Sequence, residues 1–226
     1  MDDGVRNSDG VVYRLGRPGY RGGIHQVELD ADQAIVVCPV PGGRAQQRHP
    51  VVRVPHLRLL LPAGVETTYR SLGNLLFALL SDPAQLNAVR ADRSLLPQAI
   101  EEAVRWEPPL LTITRVATRD TELGGVPIPA GSTVMPMLGA ANRQEDRYPD
   151  PDTFDIFRAP RAHLGWGHGV HVCLGMHLAR LEMRTAVNLL LDRLRNLRLD
   201  PDGDDPHIRG QVFRSPTSLP VRFDPR

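Results

Sequence analysis

The sequence predicts a mainly helical fold with small β-sheets, an α+β arrangement. Two observations carry this. Between residues 57 and 106, apolar residues recur at spacings of three and four in segments bounded by prolines. Between residues 110 and 140, that period gives way to short β-prone runs separated by glycine and proline. The chain has 226 residues, 41% hydrophobic and 23% charged. That is enough apolar material to bury a core in one domain or two small ones.

Residues 1–55 differ in character from the rest. They hold 8 of the 20 glycines and no sustained helical period. Gly16–Gly23 and Pro39–Gly43 are breaker-rich. Only Ala34-Ile35-Val36-Val37, followed by Cys38, has the composition of a short strand. This segment is an unassigned leader, disordered or a coding artefact, and the folded region is expected over 56–226.

From Leu57 the pattern is coherent. Leu59-Leu60-Leu61 leads into Pro62-Ala63-Gly64-Val65-Glu66-Thr67-Thr68. Leu72, Leu75, Leu76, Leu79 and Leu80 then mark one face of a helix that stops near Ser81-Asp82-Pro83. Pro83 opens the next helix, because the first helical position needs no N–H donor. A third helix starts at Pro97 and runs to Trp106. Pro108-Pro109 ends it, since proline removes a donor and disfavours helix in its predecessor. Gly124-Gly125 is a turn, and Val126–Pro129 with Ser132–Met135 has the pattern of a hairpin around Ala130-Gly131. Residues 141–170 are rich in loop formers. After Cys173 a long helix is expected, with Leu174, Leu178 and Leu181 on one face and Leu189, Leu190, Leu194 and Leu197 continuing the apolar pattern. The tail from Pro201 is loop with one strand pair.

Composition excludes several functions. The 27 basic residues, all arginine, nearly balance 26 acidic ones, for a net charge of +1. That argues against nucleic-acid binding and against a polybasic membrane patch. Two cysteines do not make a disulfide scaffold. No apolar run approaches the ~20 residues that span a bilayer, and Met1-Asp2-Asp3-Gly4 is not the start of a signal peptide. A cytoplasmic protein is expected.

Three motifs carry chemistry. The first is Trp166-Gly167-His168-Gly169-Val170-His171-Val172-Cys173-Leu174-Gly175. It presents one thiol at the end of a glycine-rich loop just before a helix. A helix N-terminus stabilises thiolate, and the glycines allow close approach of a flat, bulky partner. One thiolate aimed at a large cofactor is the requirement of haem-thiolate ligation. A lone cysteine before a helix is more often an inert buried thiol. A zinc site is a sharper rival, since His163, His168, His171, Cys173 and His177 cluster in sequence, although no second ligand pair with the usual spacing accompanies them. The second motif is Glu102-Ala103-Val104-Arg105, an i,i+3 pair on one helix face. Alone it is indistinguishable from a solvated surface pair. The third is Ala63-Gly64-Val65-Glu66-Thr67-Thr68, which alone is a plain helix with an acid and two hydroxyls. A hydroxyl bonded back to a carbonyl would loosen the helix there, and Pro62 would add to the distortion.

The order and spacing of these motifs resemble the cytochrome P450 family, whose cysteine loop reads Phe-x-x-Gly-x-x-x-Cys-x-Gly. Trp166 stands in the Phe place, followed by Gly167, Gly169, His171, Cys173 and Gly175. The resemblance runs from about Leu57 to the C-terminus and corresponds to the C-terminal half of the P450 fold, from the distal helix through the cysteine loop and the following helix. It implies haem b held by Cys173 as the iron ligand. It implies a Glu102–Arg105–Arg158 network serving folding and haem retention. It places Thr67 as the distal alcohol and Glu66 as its acid, relaying protons to dioxygen. Arg115 and His171 match propionate-contacting positions. The implied activity is a monooxygenase. One atom of O2 enters an apolar organic substrate, and electrons come from NAD(P)H through a ferredoxin or flavoprotein reductase. Leu110, Leu111, Thr112 and Ile113 are the remaining candidates to line an apolar substrate site. The alternative is a truncated, non-catalytic remnant with little or no haem binding, because the helices that precede the distal helix in the family have no counterpart here.

Overall fold

The computed structural model describes residues 59–60 and 62–224, and earlier in the chain the backbone of three short strands. These are β1 (Val5–Arg6), β2 (Val12–Tyr13) and β3 (Ile35–Cys38). The rest of the leader assigned to 1–55, with its two breaker-rich stretches, lies outside the described residues.

A π-helical turn over Pro62–Glu66 runs directly into α1 (Thr67–Ser81). Asp82 breaks that helix with an extended backbone and caps α2 (Pro83–Ala91), its carboxylate accepting from the N–H groups of Ala84 and Gln85. Helix α3 (Leu96–Trp106) begins one residue before Pro97 and ends at Glu107, ahead of Pro108-Pro109. After a strand-rich section and the short α4 (Leu138–Ala141), a long irregular stretch leads to α5 (Met176–Arg193).

The core is where these helices meet. Leu75 and Leu79 of α1, Val89 of α2, Leu96 and Ile100 of α3, and Met183 and Val187 of α5 are all essentially inaccessible to solvent. Phe154 and Ile156 join them from the irregular stretch, and Leu197 from a strand.

The strands form five small antiparallel sheets. β4 (Arg115–Val116), β7 (Thr133–Pro136) and β3 make a three-stranded sheet with β7 in the centre. β5 (Thr121–Leu123) pairs with β6 (Val126–Ile128). The expected pairing of Val126–Pro129 with Ser132–Met135 is therefore wrong. Gly124 and Gly125 both take positive φ, 58° and 80°. That is the two-residue hairpin turn whose twist suits antiparallel strands, so it joins β5 to β6. β7 turns away to its own partners.

The last helix also differs from its sequence pattern. It stops at Arg193, with Leu194 extended and Asn196 at φ 50°. Leu197 then lies in β8 (Arg195–Leu199), paired with β11 (Val221–Asp224). A pairing partner from the C-terminus outweighs the local helical period. The buried face of α5 is Ala179, Met183 and Val187, whereas Leu174, Leu178 and Leu181 are exposed. The helix turns its small and flexible side chains to α1 and α3, where close approach is possible. The tail holds a second strand pair, β9 (Ile208–Arg209) with β10 (Ser215–Pro216).

Replacing Leu79 by Ala removes a fully buried side chain from the meeting point of the helices. The variant is expected to lose about 2–5 kcal/mol of unfolding free energy in urea titration. Leu174→Ala, at a nearly fully exposed position, is expected to change it by less than about 0.5 kcal/mol.

Candidate functional site

The cysteine loop is built from its own backbone bonds. Gly167 N–H donates to Leu164 O at 2.8 Å, Val172 N–H to Gly169 O at 3.1 Å, and Cys173 N–H to Trp166 O at 2.8 Å. Gly167 and Gly169 both sit at positive φ, 75° and 74°, a conformation that L side chains rarely adopt. A Cβ on Gly169 would meet nothing within 4 Å, so the loop presents an open surface there. Cys173 is a free, partly exposed thiol three residues ahead of α5. Around it in sequence, Val170, Val172, Leu174 and Leu178 are all exposed, Val170 and Leu174 to 95% and 96%.

The base of the loop is fastened to α3 by Glu101. Its carboxylate accepts from Trp166 Nε1 at 3.1 Å and from Arg180 Nε and Nη2 at 2.7 and 2.9 Å, and it lies 3.3 Å from His163 Nε2. Burial raises the Glu101 pKa, but the hydrogen bonds from His163, Arg180 and Trp166, with the charge of Arg180, outweigh it and hold the carboxyl at about 2. Glu101 and Arg180 escaped the sequence reading, and His163 was weighed only as a candidate zinc ligand. One signal could have found them: an indole in the Phe place carries an N–H that needs a partner. His163 is thus turned to Glu101. No three of the described His, Cys, Asp and Glu residues converge as a metal-ligand set, so the zinc alternative finds no site among them.

On the neighbouring face of α3, Glu102 binds two arginines. Arg105 donates from Nε and Nη2 at 2.7 Å each, and Arg158 from Nε at 3.0 Å. Glu102 and Arg105 are each 2% exposed. The remaining donors go to backbone carbonyls of the irregular stretch. Arg105 reaches Asn142, Pro151 and Thr153, and Arg158 reaches Pro149, Asp150 and Thr153. Glu102 also accepts the Asp155 N–H. The structure brings these three residues together as a buried clamp.

At the start of α1, Thr67 donates its hydroxyl to Ala63 O at 2.6 Å and Thr68 donates to Gly64 O at 3.1 Å. These bonds accompany the π-helical turn, in which the ladder is opened by one residue. Glu66 pairs with Arg70 at 2.8 Å, and both Arg70 contacts fall on Oε1. Arg115 is exposed on edge strand β4, its guanidinium donating to Thr114 O. His171 is exposed in the loop. Thr112 does not line a free surface. It is buried, and its hydroxyl is committed to Pro136 O at 2.9 Å.

These residues fit haem. The thiol is a soft donor suited to iron, the exposed apolar side chains beside it in sequence suit the faces of a porphyrin, and the exposed cation of Arg115 suits a carboxylate. The model of the family described as Cytochrome P450 matches residues 56–220. The chain belongs to the cytochrome P450 family. Among relatives, Cytochrome P450 107B1 of Saccharopolyspora erythraea is 48% identical over 73% of this chain and 41% of its own length. Cytochrome P450 monooxygenase PikC of Streptomyces venezuelae is 45% identical, over 73% of this chain and 40% of its own. The solved structure of the tirandamycin C-bound P450 monooxygenase TamI superposes with a TM-score of 0.71 at 43% identity, covering 76% of this chain and 44% of that one. The chain thus spans about two fifths of the length of the P450 relatives it matches. No helix among the described residues is long and apolar enough to cross a membrane.

Two outcomes follow for the α3 faces. Glu102→Ala strands the buried Arg105 guanidinium and is expected to cost about 3–5 kcal/mol in urea unfolding. For Glu101, the folded pKa lies below the ordinary 4.5. Its stabilising contribution is therefore full above that value and is lost as pH falls toward about 2. Acid unfolding of the natural chain should show this component between those limits, and Glu101→Gln should lack it.

Proposed function

We propose that this chain is the thiolate-bearing, proton-relaying part of a haem-thiolate monooxygenase. The observation that carries the proposal is the cysteine loop: one partly exposed thiol on a glycine-rich turn, bordered in sequence by exposed apolar side chains and anchored through Trp166 to α3. Cys173 is the residue that would hold the iron of haem b, with Arg115 and His171 holding its propionates. When bound, haem supplies activation of dioxygen, so that one oxygen atom enters an apolar C–H substrate and the other leaves as water. The balance needs two electrons and two protons. The electrons come from NAD(P)H by way of a ferredoxin or flavoprotein reductase.

The chain's own residues supply positioning and protons. Thr67, tied to Ala63, keeps its hydroxyl at the opened turn, where its lone pairs can accept from water. Glu66 keeps Oε2 outside its contact with Arg70, so that oxygen can take and release a proton. The π-helical turn leaves room beside Gly64, whose missing Cβ would meet nothing within 4 Å. The Glu102–Arg105–Arg158 clamp keeps the backbone behind the thiol in place. The substrate is a small organic molecule with an apolar body. Tirandamycin C bound to TamI is one example of what a related protein accepts.

Haem reconstitution followed by a reduced, carbon-monoxide-bound difference spectrum tests the reading. A strongly red-shifted Soret band is expected for the natural chain and for Cys38→Ser, and its loss for Cys173→Ser. An unchanged band in Cys173→Ser overturns the ligand assignment. Absence of haem uptake by the natural chain supports the non-catalytic alternative instead.

A further inference from the structure

The bonds that shape the cysteine loop are internal to residues 164–173. They set its curl but not its aim relative to α3. Aim has to come from side chains and from the ends of the loop. Entry is fixed where Leu164 N–H donates to Asn142 Oδ1 at 2.7 Å and where Gly165 presses on Val104, so closely that a Cβ would lie 2.6 Å from the Val104 carbonyl. The residue bonded to Cys173 is a different one, Trp166. Its carbonyl accepts the Cys173 amide at 2.8 Å, and its indole N–H donates to Glu101 at 3.1 Å. The Arg180 guanidinium lies over the indole ring at 5.0 Å while donating twice to the same carboxylate. The indole is thereby held by its edge and by its face.

We propose that Glu101 is a positioning residue for the Cys173 thiol, acting through the indole N–H of Trp166. A phenylalanine at 166 would have no N–H to offer, so the carboxylate would hold only Arg180 and His163, and Trp166's link from α3 to the Cys173 amide would be lost. With tryptophan, a half-buried donor must be satisfied. Meeting it with a charged acceptor gives a stronger and more directional tie than a neutral one. The tie runs Glu101 carboxylate, Trp166 indole, Trp166 carbonyl, Cys173 amide, from the rigid helix α3 to the backbone of the thiol-bearing residue. This inference rests on reading Cys173 as the iron ligand, but the tie can be measured in the haem-free chain.

The chain has two tryptophans, and each indole N–H has its own acceptor, Asp152 O for Trp106 and Glu101 for Trp166. In nitrogen-15 spectra of the full chain, Glu101→Gln and Glu101→Ala are expected to move the Trp166 indole resonance and leave that of Trp106. The Trp106 resonance also reports that the variant is folded. Hydrogen exchange at the Cys173 amide is expected to accelerate about tenfold in Glu101→Ala, the loss of one charge-assisted bond, and less in Glu101→Gln. Trp166→Phe is expected to give the same acceleration, and adding Glu101→Ala to it no more. Exchange at Cys173 that ignores Glu101→Ala, or two effects that simply add, overturns the proposal. If Glu101→Ala does not fold, Glu101→Gln compared with Trp166→Phe decides by the same criterion. After haem loading, Glu101→Gln is expected to shift the reduction potential relative to the natural chain, as a displaced thiolate requires. A natural chain that takes up haem without a thiolate spectrum overturns the ligand reading, while the exchange coupling still reports on the tie.

Discussion

One buried carboxylate, Glu102, organises the part of the chain that has no regular structure. Between α4 and α5 the backbone makes few hydrogen bonds with itself. Its carbonyls must nonetheless be satisfied where they are buried. Arg105 and Arg158 meet that need with planar forks of donors, and Glu102 pairs with both. Tyr148, buried under the Arg105 guanidinium at 5.2 Å, closes the other side. A hydrophobic replacement could fill the same volume, but it could not bond the carbonyls of Asn142, Pro151 and Thr153. The clamp thus specifies one path for a loop that packing alone would leave with many.

Helix α3 works on two faces at once. Glu101 and Glu102 are adjacent, so their side chains leave the helix about 100° apart. Glu102 holds the irregular stretch, and Glu101 holds the base of the cysteine loop and the first turns of α5. The core face of the same helix, with Leu96, Ile100 and Ala103, is fixed against α1 and α5. The thiol's surroundings are therefore referred to the most rigid part of the molecule through two carboxylates and three arginines. Val170 and Leu174, either side of the thiol in sequence, are the two most exposed large apolar side chains among the described residues, a surface that a flat apolar cofactor would cover.

At the start of α1 the helix is opened rather than tightened. Thr67 and Thr68 bond back to Ala63 and Gly64, and the π-helical turn absorbs the extra residue. It contrasts with the dense bonding around the base of the cysteine loop, where Trp166 and Arg180 are both tied to Glu101.

Much of this was legible in the sequence. Leucine spacing and proline boundaries marked α1 to α3, because helical periodicity and helix ends are local properties. The order of the three motifs identified the family, since a glycine-rich loop ending in cysteine is written in consecutive residues. Three things were decided by tertiary structure. Leu197 left the helical pattern for a strand because its partner, β11, lies more than twenty residues away. The buried face of α5 became Ala179, Met183 and Val187 because that is the face the fold packs against α1 and α3. Glu101 gained its role from Trp166 and Arg180, 65 and 79 residues distant, and no local spacing records a contact made across such a separation. Sequence alone determined the family, because the motifs that mark it are covalently ordered along the chain. Tertiary structure decided what holds that chemistry in place, because buried charges and unpaired donors are satisfied by whatever the fold brings within reach.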